Sequence, residues 1–279
     1  MITEMKKIPI TEESRPFATA LKVCPLETLG YVEEEFFQTG TANVYREGEG
    51  APVAEIADAP YTTRLLVRRP RDPEKFSGNV VIEILNASAM MDIDRIWVNT
   101  WRYFTRHGDI YIGITSKGHV VDALKGCDPA RYAAINWANP APERVPSEAV
   151  RSSRFGFLPQ YEQGLFWDML IDLAKLLRTD SPLNPIAGFG RAWLYLSGWS
   201  QSGAYLSRVV NSFAYLPENC GAGPLFDGYL NAYEPFGTPF QRGRPAASLL
   251  CTKEPCIAVN TESENRSTFW YGDFDEPRR

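Results

Sequence analysis

The chain has 279 residues, 44% of them hydrophobic, 23% charged and 13% aromatic, with a formal net charge of −5. That length can bury the core of one large α/β domain. The mild acidity, with no dense Lys/Arg stretch, argues against nucleic acid or an anionic membrane surface as partner. No apolar run approaches the length that spans a bilayer. The N-terminus carries two lysines with no apolar stretch behind them, so no signal peptide is expected; a cytoplasmic location is, with secretion left open.

Residues 1–28 are polar and Pro-containing and read as an N-terminal extension to a domain covering 29–279. From Leu29 to Glu47, apolar and polar residues alternate loosely around Gly40, which predicts a hairpin turning there. Tyr61 to Arg69 predicts a further strand, stopped by Pro70 and an Arg-Asp-Pro turn. Val80 to Leu85 is nearly continuous apolar sequence, as expected of a strand buried on both faces of a parallel sheet. Asp92 or Asp94 then caps a predicted helix carrying Trp97, Trp101 and Phe104, closed by Gly108. Ile110 to Ile114 is the next buried strand.

The segment 115–160 is long and Pro-containing, with two short helical patches at most, and predicts a rim or lid over one end of the sheet. An amphipathic helix follows over Leu165 to Leu177, with Lys175 and Arg178 suiting its C-terminal end. Trp193-Leu194-Tyr195-Leu196 predicts a strand, and Leu206, Val209, Val210 and Phe213 space a helix. A strand near Phe226 to Leu230, a Pro/Gly-rich loop from Pro235 to Pro245, and a last strand Cys256 to Val259 complete the series. Strands alternating with helices imply a doubly wound, mostly parallel sheet, extended by antiparallel N-terminal strands.

Between the predicted strand at Trp193 and its helix lies Gly198-Trp199-Ser200-Gln201-Ser202-Gly203. A serine on a sharp strand-to-helix turn, flanked by small residues, is the nucleophile elbow of serine hydrolases. The usual pattern G-x-S-x-G is altered here, with Ser202 at the last position and glycine one place later. The competing explanation of Ser200 is an ordinary helix cap. Acyl transfer also needs oxyanion donors, a base and an acid that orients the base. The donors expected in such a fold are the amide of the residue after the nucleophile, Gln201, and one from the Asn86-Ala87-Ser88 loop, from either Asn86 or Ala87. The acid is expected after the strand 256–259, at Glu264 with Glu262 as the alternative; Glu234 is a third candidate. Trp137 and Trp199 are candidates to shape an apolar pocket at the rim.

The base is harder to place. The chain order Ser, acid, His requires a histidine after Glu264, and none occurs. The two histidines are His107 and His119. His119, in the loop Ser116-Lys117-Gly118-His119, is a candidate substitute base, while His107 reads as a helix-end residue. No Cys/His pair has zinc spacing, so neither a metal nor a cofactor is expected, and the five scattered cysteines form no disulfide framework.

Taken as a set, several stretches resemble the largely uncharacterised "alpha/beta hydrolase domain" family. They are Gly30 through Glu35, Gly40 through Tyr45, Tyr61-Thr62-Thr63-Arg64, Val67 through Pro70, and Val80 through Asn86. Further on they are Arg131-Tyr132-Ala133, Tyr161 through Leu177, Gly198 through Gly203, and Asn260 through Glu264. The resemblance implies an α/β-hydrolase fold, a nucleophile at Ser200 and carboxylic-ester hydrolysis through an acyl-enzyme. It also implies a histidine in a Gly-x-x-His stretch beyond Arg279, so the chain reads as C-terminally truncated, lacking the last strand and helix. On that expectation its sheet edge is exposed and the chain alone is poorly soluble or homo-oligomeric. The expected partner is a small-molecule ester. An acyltransferase on the same fold, or a non-catalytic binding relative, are the alternatives.

Overall fold

A computed structural model describes residues 1–18, 24–147, 158–221, 223–232, 236–237, 247–248 and 252–259. Strand β1 (Ile2–Ile8) pairs antiparallel with β2 (Tyr31–Arg46), and β2 pairs antiparallel with β3 (Val53–Pro70). The turn expected at Gly40 is not there; β2 runs straight through it and the chain reverses between Arg46 and Val53. Gly40 serves a close approach instead. β1 passes beside it, and a Cβ there would stand 2.3 Å from the Met1 carbonyl oxygen. Part of the N-terminal stretch thus becomes an edge strand of the sheet.

The parallel half begins with β4 (Asn79–Ile84), followed by α1 (Arg95–His107), β5 (Ile110–Ile114), α2 (Val121–Cys127) and α3 (Phe166–Leu176). Then come β6 (Trp193–Trp199), α4 (Gln201–Ser212), the short α5 (Pro217–Cys220) and β7 (Gly228–Ala232). The two-residue strands β8 (Phe236–Gly237) and β9 (Ala247–Ser248) pair with each other, and β10 (Cys256–Val259) completes the main sheet. The order across that sheet is β1-β2-β3-β5-β4-β6-β7-β10, parallel from β5 to β10.

Period-2 alternation sends the two faces of these strands into different cores. Val80, Ile82 and Ile84 with Ile110, Ile112 and Ile114 pack on the face covered by α3 and α4. Val81, Tyr111 and Leu230 face the other way, against Ile96, Trp97 and Phe104 of α1. The cap of α1 differs from expectation. Asp94 occupies the cap position without a side-chain cap bond, because it is paired with Arg68 at 2.6 Å, and Asp92 is paired with Arg64 at 3.1 Å. The helix amides are met from the sheet: Glu83 accepts from Ile96 N–H at 2.9 Å and Trp97 N–H at 3.3 Å. Gly108 does close the helix, in the left-handed region at φ 84°.

The segment after β5 crosses the end of the sheet where the parallel strands finish. It is tied to β3 by a bridge from Asn136 to Thr62, and to itself by one from Ala138 to Tyr161. Trp137, expected at the rim, is instead 1% exposed and lies against Gly118, whose added Cβ would stand 3.2 Å from the tryptophan Cβ. On the far flank, Ile257 of β10 is 62% exposed.

Candidate active site

Strand order brings β4 and β6 side by side, with Ile84 opposite Gly198, so the loops that leave their carboxyl ends face one crevice. Between β6 and α4 sits one residue, Ser200, with φ 54° and ψ −121°. An L-residue is strained there, at a cost of about 1–3 kcal/mol, and persists only where its surroundings over-determine it. They do. The Ser200 N–H donates to Ala232 O at 2.8 Å, and its carbonyl accepts from Gly203 N–H at 2.7 Å and Ala204 N–H at 3.2 Å. The preceding carbonyl, of Trp199, accepts from the Asn86 side chain at 2.9 Å. An ordinary cap would keep an extended backbone and offer its hydroxyl to the helix amides; no such cap bond is made.

The altered elbow pattern has a physical basis. A Cβ on Gly198 would lie 2.3 Å from Ser202 O, so that glycine is obligatory. The position of Ser202 tolerates a side chain, which turns inward, fully buried, and donates its hydroxyl to Leu85 O at 3.1 Å.

The loop after β4 is fixed as firmly. Asn86 exchanges both backbone hydrogen bonds with Ile93, at 3.0 and 2.9 Å. Its amide hydrogen is therefore committed to Ile93, whereas that of Ala87, the other expected oxyanion donor, is not bonded among the described residues. What Asn86 does instead is clamp: its side-chain NH2 holds the elbow, and its Oδ1 accepts from the N–H and hydroxyl of Ser88 at 3.0 and 2.6 Å. The Ala87 carbonyl accepts from Met90 N–H at 3.0 Å and meets His119 Nε2 at 3.0 Å. Among the described residues, no acceptor takes the N–H of Ala87 or of Gln201. Gln201 is the first residue of α4, where the helix end is positive and favours an anion.

His119 is poorly suited to replace a catalytic base. Its Nε2 is occupied by a carbonyl, and burial pushes its pKa down to about 4, with the Ala87 carbonyl opposing and nearby Lys117 adding to the fall. His107 lies at the far end of α1, stacked on Tyr103 at 4.0 Å with Nδ1 on the Tyr103 carbonyl. Glu264, Glu262 and Glu234 lie outside the described residues. Trp199 is half-buried at the elbow. Among the described residues no cluster of three or more His, Cys, Asp or Glu could hold a metal ion, and no helix is long and apolar enough to cross a membrane.

A doubly wound sheet with a strained serine between strand and helix, at the carboxyl end of its parallel strands, has the arrangement of the α/β-hydrolase fold. The sequence profile of the family described as "Alpha/beta hydrolase domain" matches residues 4–278, and the chain belongs to that family. No curated protein matches it. Among solved structures it is similar to esterase Est22, at 12% identity and TM-score 0.37, over 74% of this chain and 46% of that one. Brefeldin A esterase, a bacterial homologue of human hormone sensitive lipase, aligns at 13% identity and TM-score 0.34, over 75% of this chain and 42% of its own. EstA of Aspergillus niger gives 10% and 0.34, over 75% and 39%. The chain thus spans about half the length of Est22.

Proposed function

We propose that the protein is a serine-dependent hydrolase of small-molecule carboxylic esters, with Ser200 as the nucleophile. The observation that carries this is the backbone of Ser200, held at φ 54° between a buried strand and a helix. In the reaction, Ser200 Oγ attacks the ester carbonyl and loses its proton to a general base, giving a tetrahedral oxyanion. The Gln201 and Ala87 amides donate to that oxyanion, where preorganised donors stabilise charge most in a water-poor site. Collapse expels the alcohol and leaves an acyl-serine, which water then cleaves. An acceptor alcohol in place of water would turn the same parts to acyl transfer.

Neither histidine of the sequence serves as the base in this reading, since one is spent on the Ala87 carbonyl and the other sits at the end of α1. The orienting acid is assigned to Glu264, with Glu262 as alternative. The test is reaction of the full chain with a fluorophosphonate, followed by mapping of the modified residue. Adduct on Ser200, abolished by Ser200→Ala, is expected. Absence of adduct, or adduct that survives Ser200→Ala, overturns the assignment.

A further inference from the structure

Lys117 takes no part in the chemistry above and is fully buried. An ammonium group is strongly hydrated, so burying one is costly unless its neighbours compensate. Its Nζ donates to Ser116 Oγ at 2.9 Å and lies 3.9 Å from the ring centroid of Tyr205. The Ser116 hydroxyl in turn donates to Leu85 O at 2.7 Å, the carbonyl that also receives the Ser202 hydroxyl at 3.1 Å. Leu85 stands two residues before Ala87. Ser202 and Tyr205 lie in the first two turns of α4, just behind Gln201. Both walls of the oxyanion cradle therefore converge on one amine.

We propose that Lys117 is a positioning residue for the Ser200 reaction, holding the Ala87 and Gln201 amides in register through Ser116, the Leu85 carbonyl and the Tyr205 ring. The proposal rests on the serine-hydrolase reading.

The groups that face Lys117 explain how its charge matters. Ser116 and His119 come from its own loop, Tyr205 from α4, and Asp92 from the loop after β4. Asp92 is already matched by Arg64, and Glu35 by Arg64 and Arg131. Among the described residues facing this cluster, two guanidinium groups balance two carboxylates, which leaves the ammonium as surplus charge. Burial accordingly pulls the Lys117 pKa down to about 7, against the attraction of Asp92. As an ammonium, Lys117 can only donate: its N–H fixes the Ser116 oxygen and so holds the Ser116 hydroxyl on Leu85 O, an anchor that Lys117→Met removes. As a free amine, it has a lone pair that can take the Ser116 hydrogen instead, and Leu85 O loses one of its two donors. The brace is tight below neutrality and looser above it.

The experiment compares the rate of Ser200 modification by a fluorophosphonate in the parent chain, in Lys117→Met and in Ser116→Ala. Taking the ratio of parent to variant at each pH cancels every ionisation the proteins share. Sub-ångström loss of alignment is expected to slow the reaction about tenfold near pH 6, with the ratio falling to within about twofold by pH 9. Ser116→Ala should show the same pH-dependent ratio, and the double variant no further loss. A ratio of one throughout, or a loss equal at both pH values, overturns the proposal, since a merely structural lysine would give a flat profile. Should Lys117→Met fail to fold, the Ser116→Ala ratio decides on the same terms. No modification of Ser200 in the parent overturns the hydrolase reading and this proposal with it. Modification that needs Ser200 but ignores Lys117 and Ser116 overturns this proposal alone.

Discussion

On the antiparallel flank, β2 and β3 bury Glu35, Arg64 and Arg68 at zero exposure, and each of these charges meets an opposite one. Arg64 contacts Glu35, Asp92 and the Phe17 carbonyl together, and Arg68 bonds Glu33 and Asp94 while lying 4.7 Å over Trp97. At the carboxyl ends of β4 and β6 the situation is reversed. There the backbone is strained, and the amides of Ala87 and Gln201 find no acceptor among the described residues. The flank spends its polar groups on one another and gains rigidity. The crevice keeps donors uncommitted, as the proposed ester hydrolysis requires of the groups that would meet its oxyanion. A strained edge of this kind depends on a neighbouring region that does not give.

That contrast can be broken from either side. The largest effect is expected from Arg64→Met, which strands the buried Asp92 carboxylate and leaves Glu35 to Arg131 alone; urea denaturation should show a loss of about 3–5 kcal/mol. Next comes Gly198→Ala, whose Cβ would meet Ser202 O at 2.3 Å. Overpacking of that kind costs about 1–3 kcal/mol, and phosphonate labelling should fall much further than stability does.

A pH series sharpens the comparison. Burial pushes the Glu83 carboxyl up to about 8, opposed by its bonds from Ile96 N–H and Tyr111 OH and reinforced by Asp94. From the ordinary value of 4.5 up to about 8, the folded protein holds a proton that the unfolded chain releases, so this residue makes stability fall as pH rises. Glu83→Gln should remove a fall of about 2 kcal/mol between pH 6 and pH 8, read from denaturation midpoints at each pH. The smallest effect belongs to Lys7→Ala. Its 2.5 Å pair with Glu34 is on a lysine 60% exposed, and an exposed pair of this sort is worth about 1 kcal/mol or less.

Much of the architecture is legible in the sequence because it is written locally. The apolar run through Ile84 and the strand-serine-helix sequence around Ser200 each need only neighbours within a few positions. The errors share one cause, which is distance along the chain. Gly40 looks like a turn until Met1 is seen packed against it. Asp92 and Asp94 look like helix caps until Arg64 and Arg68 claim them. Asn86 reads as an amide donor, yet its backbone is held by Ile93 and its side chain reaches a carbonyl 113 residues away. Lys117 carries no sequence signal of burial, since nothing near it in the chain announces Tyr205 as its floor.

The order of residues by itself determined the strands and helices of the parallel half and the serine at the bend after β6, but not the edge strand β1 or the run of β2 through Gly40. Only the tertiary structure decided what the polar groups do. Sequence periodicity sorts apolar from polar side chains, but a hydrogen bond or ion pair is chosen by whichever group the sheet order delivers within about 3 Å. Placing β4 beside β6, and β3 beside β5, is what turned Asn86 into a clamp, left the amides of Ala87 and Gln201 without an acceptor among the described residues, and closed the charges of the flank upon each other.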